Sequence, residues 1–205
     1  MNVWEKIKRL NALADTGLLY SANPYDRERY EEIKELSLQL MQEYTGGDAE
    51  SFRNLFEHPK DYPTAKVDIR ALILSDDNKK VLLVQEALDG KWSIPGGWAD
   101  IGYSPRETVV KECQEETGLQ VDPVRLLAVW DKKMHPHPPQ AFYVYKLIFL
   151  CAVTGGQLQK GFDVLDINWF PLDELPMMSE DRILAQQIRK LAAHAIAGAT
   201  HTLVD

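Results

Sequence analysis

Residues 96–119 read Gly96-Gly97-Trp98-Ala99-Asp100-Ile101-Gly102-Tyr103-Ser104-Pro105-Arg106-Glu107-Thr108-Val109-Val110-Lys111-Glu112-Cys113-Gln114-Glu115-Glu116-Thr117-Gly118-Leu119, and this stretch decides the fold. A glycine-rich loop runs directly into a helix with signals at both ends. Ser104 suits the N-cap, Pro105 the first helical position, and Glu107 completes a Ser-x-x-Glu capping box. Gly118 follows the last turn as a C-cap. Gly96, Gly97 and Gly102 allow tight backbone paths, while Thr108, Val109 and Cys113 supply packing contacts. At about 3.6 residues per turn, Glu112, Glu115 and Glu116 gather on one side of the helix. Like charges so placed destabilise a bare helix, which gives a bound cation a physical purpose; from the residues alone, a solvated acidic face is the alternative. Carboxylate oxygens suit Mg²⁺ or Mn²⁺, ions that bridge diphosphate oxygens, polarise phosphorus and acidify bound water.

Working outward, Val67, Ile69, Ala71 and Ile73 alternate as in a strand, and Asp76-Asp77-Asn78 forms a turn. Residues 81–84 read as a buried strand, and 92–95 lead into the glycine pair. Beyond the acidic helix, strands are expected over 123–130 and 141–153, joined by a proline- and histidine-rich loop. A shorter strand follows over 166–170, then a turn of helix at 172–175 and a C-terminal helix over 179–197. Ile183, Leu184, Ile188 and Leu191 face the core, and Gly155-Gly156 eases a separate turn. Strands and helices mix without regular βα alternation, so the class is α+β, an α/β/α sandwich rather than a doubly wound sheet.

Ahead of this body, Val3, Trp4, Ile7, Leu10 and Leu13 recur at helical spacing, and Asn23-Pro24 breaks the pattern. A second helix is expected over 26–44, its apolar side made by Tyr30, Ile33, Leu36, Ser37, Leu40 and Tyr44, and Gly46-Gly47 stops it. A short helix over 50–56 precedes His58-Pro59, and Pro63 closes the segment. Residues 1–62 are thus read as a helical extension and 63–205 as the main domain. Two helices make a poor core, so the extension must pack on the body or on another subunit.

The chain has 205 residues, 45% hydrophobic, enough for a substantial core. A formal charge of -8 argues against broad nucleic-acid affinity, although a divalent cation still lets an acidic protein bind a phosphorylated molecule. Cys113 and Cys151 are the only cysteines and fit no disulfide framework, which points to a reducing compartment. The first ten residues carry charges throughout and lack a signal-peptide core; residues 142–153 are too short to span a membrane as a helix. A cytoplasmic protein with no membrane association is expected.

The 96–119 stretch resembles the signature of the Nudix hydrolases. That pattern runs from an opening Gly through a Glu to Arg-Glu, an aliphatic residue, any residue, Glu-Glu, any residue, Gly and an aliphatic residue. Gly97 takes the opening place, and Glu112, Glu115, Glu116, Gly118 and Leu119 match the end. Tyr103 stands where the pattern has Glu, Lys111 where it has Arg, and Cys113 where it has an aliphatic residue. The resemblance implies a mixed-sheet α/β/α sandwich that hydrolyses nucleoside diphosphates linked to another moiety, with divalent metal. It implies Glu112, Glu115 and Glu116 as metal ligands, with the Gly96 carbonyl as an addition. Lys111 would take the arginine's orienting task with a mobile ammonium in place of a planar fork. Tyr103 cannot replace a metal-binding carboxylate, so the loop's supporting role is redistributed.

The likeness extends outside the signature. Residues 14–18 and 23–30, Asp131-Lys132-Lys133, His135-Pro136-His137-Pro138-Pro139, Phe162-Asp163 and Trp169-Phe170 resemble a bacterial Nudix subgroup with an N-terminal helical extension. Its members are often labelled ADP-ribose pyrophosphatases and include a CDP-choline pyrophosphatase; the similarity implies a homodimer.

Such a mechanism needs water to attack phosphorus and a carboxylate to take its proton. Asp163, on a later loop where relatives place an acid, is one candidate, and Glu115 is the other; Asp163 also suits a plain surface turn. His135 and His137 suit phosphate, leaving-group or second-substituent contacts, or are ordinary surface histidines; no third ligand completes a zinc site. Trp98, Tyr103 and Trp130 can wall a base, whereas Trp92, Phe142 and Phe149 build the core. The leading reading is an Mg²⁺- or Mn²⁺-dependent pyrophosphatase acting on CDP-choline or ADP-ribose, releasing a nucleoside monophosphate and a phosphorylated second product. An RNA 3′-end exonuclease and a noncatalytic nucleotide sensor are the alternatives.

Overall fold

The computed structural model describes residues 2–47, 49–56 and 62–205, and the chain divides into two compact units, Met1–Ala65 and Lys66–Asp205. His58-Pro59 lies outside the described residues. The first unit holds α1 (Val3–Tyr20), α2 (Pro24–Thr45) and α3 (Ala49–Leu55). Asn2 caps α1, its side chain accepting the Glu5 N–H at 2.9 Å. The expected break falls at residues 21–23, and Asn23-Pro24 also starts α2: Asn23 accepts the Tyr25 N–H at 3.0 Å, and proline fits the first turn because it has no N–H to leave unpaired.

Trp4, Ile7, Leu38 and Met41 form this unit's apolar core, with Phe52 and Phe56 against it. Polar contacts lie beside that core: Lys34 pairs with Asp15 at 2.7 Å, and the Ser37 hydroxyl donates to Asn11 at 3.1 Å. The buried side of α2 is therefore Lys34, Ser37, Leu38 and Met41. Of the expected apolar side, Ile33, Leu36, Leu40 and Tyr44 are exposed, as are Val3, Leu10 and Leu13 of α1. The reason is that partnered polar side chains occupy the α1–α2 seam, turning a second apolar stripe outward.

The second unit contains β1 (Lys66–Ile73), β2 (Lys80–Glu86), β3 (Trp92–Ser93), β4 (Gly96–Trp98), α4 (Pro105–Thr117), β5 (Leu119–Asp131), a 3₁₀ turn (Lys132–Met134), β6 (Val144–Gly156), β7 (Val164–Pro171), α5 (Ala185–Ile196) and β8 (Leu203–Val204). One sheet has the order β4-β1-β6-β5-β8 and mixes parallel β1–β6 with antiparallel β5–β6; the other, β3-β2-β7, is antiparallel. Side chains alternate across β1. Ile69, Ala71 and Ile73 pack with Val109 and Cys113 of α4, while Leu72 joins Trp130, Ile148, and Ile188 and Leu191 of α5. The result is the expected mixed α+β sandwich.

Several boundaries moved: β5 starts at Leu119 and β6 at Val144, where 123 and 141 were expected. Residues 172–174 are bends, with no helical turn over 172–175, and α5 begins at Ala185, because Ser179–Arg182 forms a separate turn held by Ser179 on Asp89 at 2.8 Å. Gly155-Gly156 belongs to β6, paired with Gln120 and Leu119. Among the described residues no helix is long and apolar enough to cross a membrane.

Candidate active site

The capping box forms as read: Ser104 Oγ accepts the Glu107 N–H at 3.3 Å, and Glu107 Oε2 accepts the Ser104 N–H at 2.8 Å. Gly118 ends α4 in a left-handed conformation. With both ends fixed and Val109 and Cys113 in the core, the helix holds its glutamates at a set angle to β4. Glu116 is 5% exposed, and its Oε2 accepts the Gly96 N–H at 2.8 Å. Burial pushes its carboxyl up to about 8, against the opposing pull of the Arg70 guanidinium and the Gly96 N–H. Glu112 is also raised, chiefly by burial. Gly97 leaves room for it: a Cβ there would lie 2.9 Å from Glu112 Oε2.

Glu115 sits differently. Its side chain is exposed and accepts from Lys111 Nζ at 2.9 Å, while the same ammonium reaches Asp100 Oδ2 at 3.2 Å. Those two carboxylates raise the Lys111 ammonium above its ordinary value. Asp163 is exposed on a loop tied to the end of α4. The Gln159 N–H donates to the Thr117 carbonyl, the Gly161 N–H to the Glu116 carbonyl, and the Ala87 N–H to the Asp163 carbonyl. The Asp163 charge reaches Glu86, whose carboxyl is raised mainly by burial.

Beneath the glutamates is an ionic cluster that sequence reasoning missed. Arg70 Nε donates to Asp68 Oδ1 at 2.8 Å, and its Nη1 to the Ile94 carbonyl at 3.2 Å, with Glu86 Oε1 3.5 Å away. Lys146 pairs with Asp68, and Arg182 Nε stands 2.9 Å from Glu86 Oε1. A signal existed: Asp68 and Arg70 fill the places between Val67, Ile69 and Ala71, and charges on a strand with both faces covered must find partners.

The other expected contacts divide. Trp98 and Tyr103 are about half exposed, with Lys66 Nζ 5.5 Å from the Trp98 ring centre and Lys111 Nζ 5.8 Å from that of Tyr103. Trp130 does not join them. It is 1% exposed within the α5-side core, because its place on β5 points inward, so it cannot wall a base. His135 packs on Trp130 and faces Asp205 Oδ2 at 3.1 Å. His137 Nδ1 meets the Glu180 carbonyl at 2.6 Å, so that nitrogen carries the proton. Burial pushes His137 down to about 4, and its Nε2 is buried without a partner. Phe142 is half-buried under the Lys66 ammonium at 3.7 Å, outside both apolar cores. Gly102 is exposed in the loop before α4.

Among the described residues no three His, Cys, Asp or Glu side chains stand close enough to enclose a metal ion. The donor set nonetheless fits a hard divalent cation. Two carboxylates with raised proton affinity, Glu116 buried and Glu112 half-buried, flank a glycine cradle.

Residues 65–193 match the NUDIX domain, and residues 2–56 match the UDP-X-like, N-terminal oligomerisation domain. The chain belongs to the Nudix family and is an enzyme, a pyrophosphatase of the nucleoside diphosphate-linked class. Nudix hydrolases use divalent metal ions. Among its relatives is YjhB of Bacillus subtilis (strain 168), which carries the provisional name ADP-ribose pyrophosphatase. It is 42% identical over 91% of this chain and 89% of its own length. A crystal structure of a UDP-X diphosphatase is 34% identical, covers 98% of this chain and 97% of that one, and superposes with a TM-score of 0.64. An ADP-ribose pyrophosphatase from Streptococcus suis 89-1591 is 38% identical over 69% of this chain and 100% of its own, with a TM-score of 0.61.

Proposed function

We propose that this enzyme hydrolyses the pyrophosphate of a nucleoside diphosphate joined to a second group, using Mg²⁺ or Mn²⁺. ADP-ribose, CDP-choline and UDP-linked compounds are the candidate substrates. The observation that carries this reading is the pair of carboxylates, Glu116 buried and Glu112 half-buried, set against the Gly96-Gly97 turn. Glu112 and Glu116 would hold the ion, with Glu115 and the Gly96 carbonyl as further oxygen donors. The bound ion supplies charge neutralisation for the diphosphate and a more acidic water. Asp163 would take the proton from a water whose oxygen attacks one phosphorus. The bond from that phosphorus to the bridging oxygen breaks, leaving a nucleoside monophosphate and a phosphorylated second product. The loop tied to α4 supports Asp163 over Glu115, which is engaged by Lys111. Trp98 and Tyr103 are the aromatic surfaces available to a base.

The helical unit is read as the homodimer element. Leu10, Leu13, Tyr20, Tyr30 and Ile33 line a groove of about 500 Å³, and an exposed apolar stripe of this kind suits a second copy. The buried free thiols of Cys113 and Cys151 fit a reducing, cytoplasmic setting.

The test is a product-resolved panel of ADP-ribose, CDP-choline, UDP-glucose and short RNA with Mg²⁺, with Mn²⁺ and with EDTA. Metal-dependent release of a nucleoside monophosphate from one of the first three supports the reading. Trimming of RNA alone, or nucleotide binding with every substrate left intact, refutes it. Light scattering of wild type against Leu36→Asp/Leu40→Asp checks the dimer, which should fall to monomer in the variant.

A further inference from the structure

Lys111 holds the signature position that the resemblance assigns to an orienting arginine, yet it bonds outward, to Glu115 and Asp100. The inner glutamate, Glu116, feels the charge of a different cation, Arg70, without a direct ion pair among the described residues. Arg70 is 6% exposed, and its backbone pairs with Gly96 across the β1–β4 ladder. The approach is close: a Cβ on Gly96 would lie 2.7 Å from Arg70 Cα and 3.0 Å from its Cδ. The guanidinium is held on one side by Asp68 at 2.8 Å. On the other it donates to the Ile94 carbonyl at 3.2 Å, with Ser93 Oγ at 3.5 Å and Glu86 Oε1 at 3.5 Å. It thereby fixes the peptide run leading into Gly96, whose N–H holds Glu116 Oε2 at 2.8 Å.

We propose that Arg70 is a positioning residue for the cation-binding carboxylates: by clamping the segment from Ser93 to Gly96 between β1 and α4, it aims Glu116 and sets the turn behind Glu112. Contacts in several directions from one head group need the rigid planar fork of arginine; an ammonium on a flexible stem reaches fewer of them at once. The role is distinct from charge balance alone, since Asp68 also has Lys146 and Glu86 also has Arg182. Those second partners also keep each carboxylate paired when Arg70 is changed, so the variants should fold.

This inference rests on the metal-dependent reading above, and its test is binding of Mn²⁺ alone to substrate-free protein, followed by electron paramagnetic resonance. Arg70→Lys keeps the charge and loses the fork. Its Mn²⁺ Kd should weaken roughly 10- to 100-fold, as for other residues that orient metal ligands from behind, while thermal melting stays cooperative. In turnover, kcat and the KM for Mg²⁺ should change, and the KM for the nucleotide should change little. Lys111→Gln, made in parallel, should weaken Mn²⁺ binding less. If Arg70→Lys does not melt cooperatively, Arg70→Gln, which keeps an N–H donor for the Ile94 carbonyl, carries the same measurement. A wild type that binds Mn²⁺, with an Arg70 variant that binds it equally well, overturns this role alone. A wild type that binds no Mn²⁺ overturns the metal-dependent reading together with it.

Discussion

Changing Glu116 to Gln should make the metal-free protein more stable at alkaline pH while abolishing turnover. Glu116 is 5% exposed, and burial lifts its carboxyl from an ordinary 4.5 to about 8. Below pH 4.5 the folded and unfolded chains are both protonated there, so this group has no effect on stability. Between 4.5 and about 8 the unfolded chain releases the proton and the folded one keeps it, so stability falls as pH rises, levelling above about 8. At about 1.4 kcal/mol per pH unit the loss approaches 4–5 kcal/mol as an upper limit. Glutamine has nearly the same shape, keeps an oxygen for the Gly96 N–H and has no proton to lose. For a chain of this size, each kcal/mol moves the melting temperature by about 2–4 °C, so the variant should melt several degrees higher at pH 8.5. The gap should shrink at pH 5. The assay is calorimetry in EDTA at both pH values, repeated with Mg²⁺, which should stabilise wild type and leave the variant unmoved. Glu86 and Glu112 are also raised, so a smaller pH slope remains in both proteins. A variant that melts at or below wild type at pH 8.5, with parallel pH curves, would mean that Glu116 is not dehydrated and that the argument from burial to cation binding fails.

Gly97→Ala places a methyl 2.9 Å from the Glu112 carboxylate and displaces it. Mn²⁺ affinity should drop about tenfold, with stability altered by less than ~1 kcal/mol; unchanged binding by calorimetry would remove the cradle from the site. Trp130→Ala should lower the unfolding free energy in urea by about 3–5 kcal/mol, as for other buried tryptophans. A raised nucleotide KM at unchanged stability would return Trp130 to the substrate wall. For His137, pushed from 6.5 down to about 4, the unfolded chain protonates first, so its share of stability is present above pH 6.5 and lost as pH falls toward 4. Nitrogen-detected NMR at pH 6 should find the ring neutral with the proton on Nδ1, and an imidazolium signal there would contradict the burial and the Glu180 contact.

Local patterns proved readable where a local rule governs them. The caps of α4 and the clustering of its glutamates follow from spacing along one helix, and the β1 alternation names its inward side chains. What lay outside reach depended on a partner far along the chain. Nothing in the type of residue separates Trp98 from Trp130; only the side of the sheet that each faces does so. The helical periodicity of α2 identified a genuine apolar stripe, Ile33, Leu36, Leu40 and Tyr44, but could not tell that Asp15 and Asn11 on α1 would draw Lys34 and Ser37 inward instead. Arg70 and Glu86 are separated by 16 positions in sequence, and their contact exists only once β1 and β2 are set beside each other.

The charges around that contact explain the acidic helix better than its own spacing does. Asp68, Glu86, Glu112 and Glu116 are set against Arg70, Lys146 and Arg182, four carboxylates to three cations; Lys111 is engaged at the surface by Glu115 and Asp100. Asp68, with two cations on it, is held below its ordinary value, whereas Glu86, Glu112 and Glu116 are all raised. Burial is the largest cause of each rise, and the arginines offset it only in part. Raised proton affinity is what a partly buried site short of positive charge imposes on its carboxylates. A divalent ion removes the same deficit without neutralising the carboxylates, and leaves charge over for a diphosphate. The cost of burying Glu116 and half-burying Glu112 is therefore tolerable for a protein that works with a cation in place, and the arginine behind them holds the Gly96 N–H that Glu116 accepts before any cation arrives.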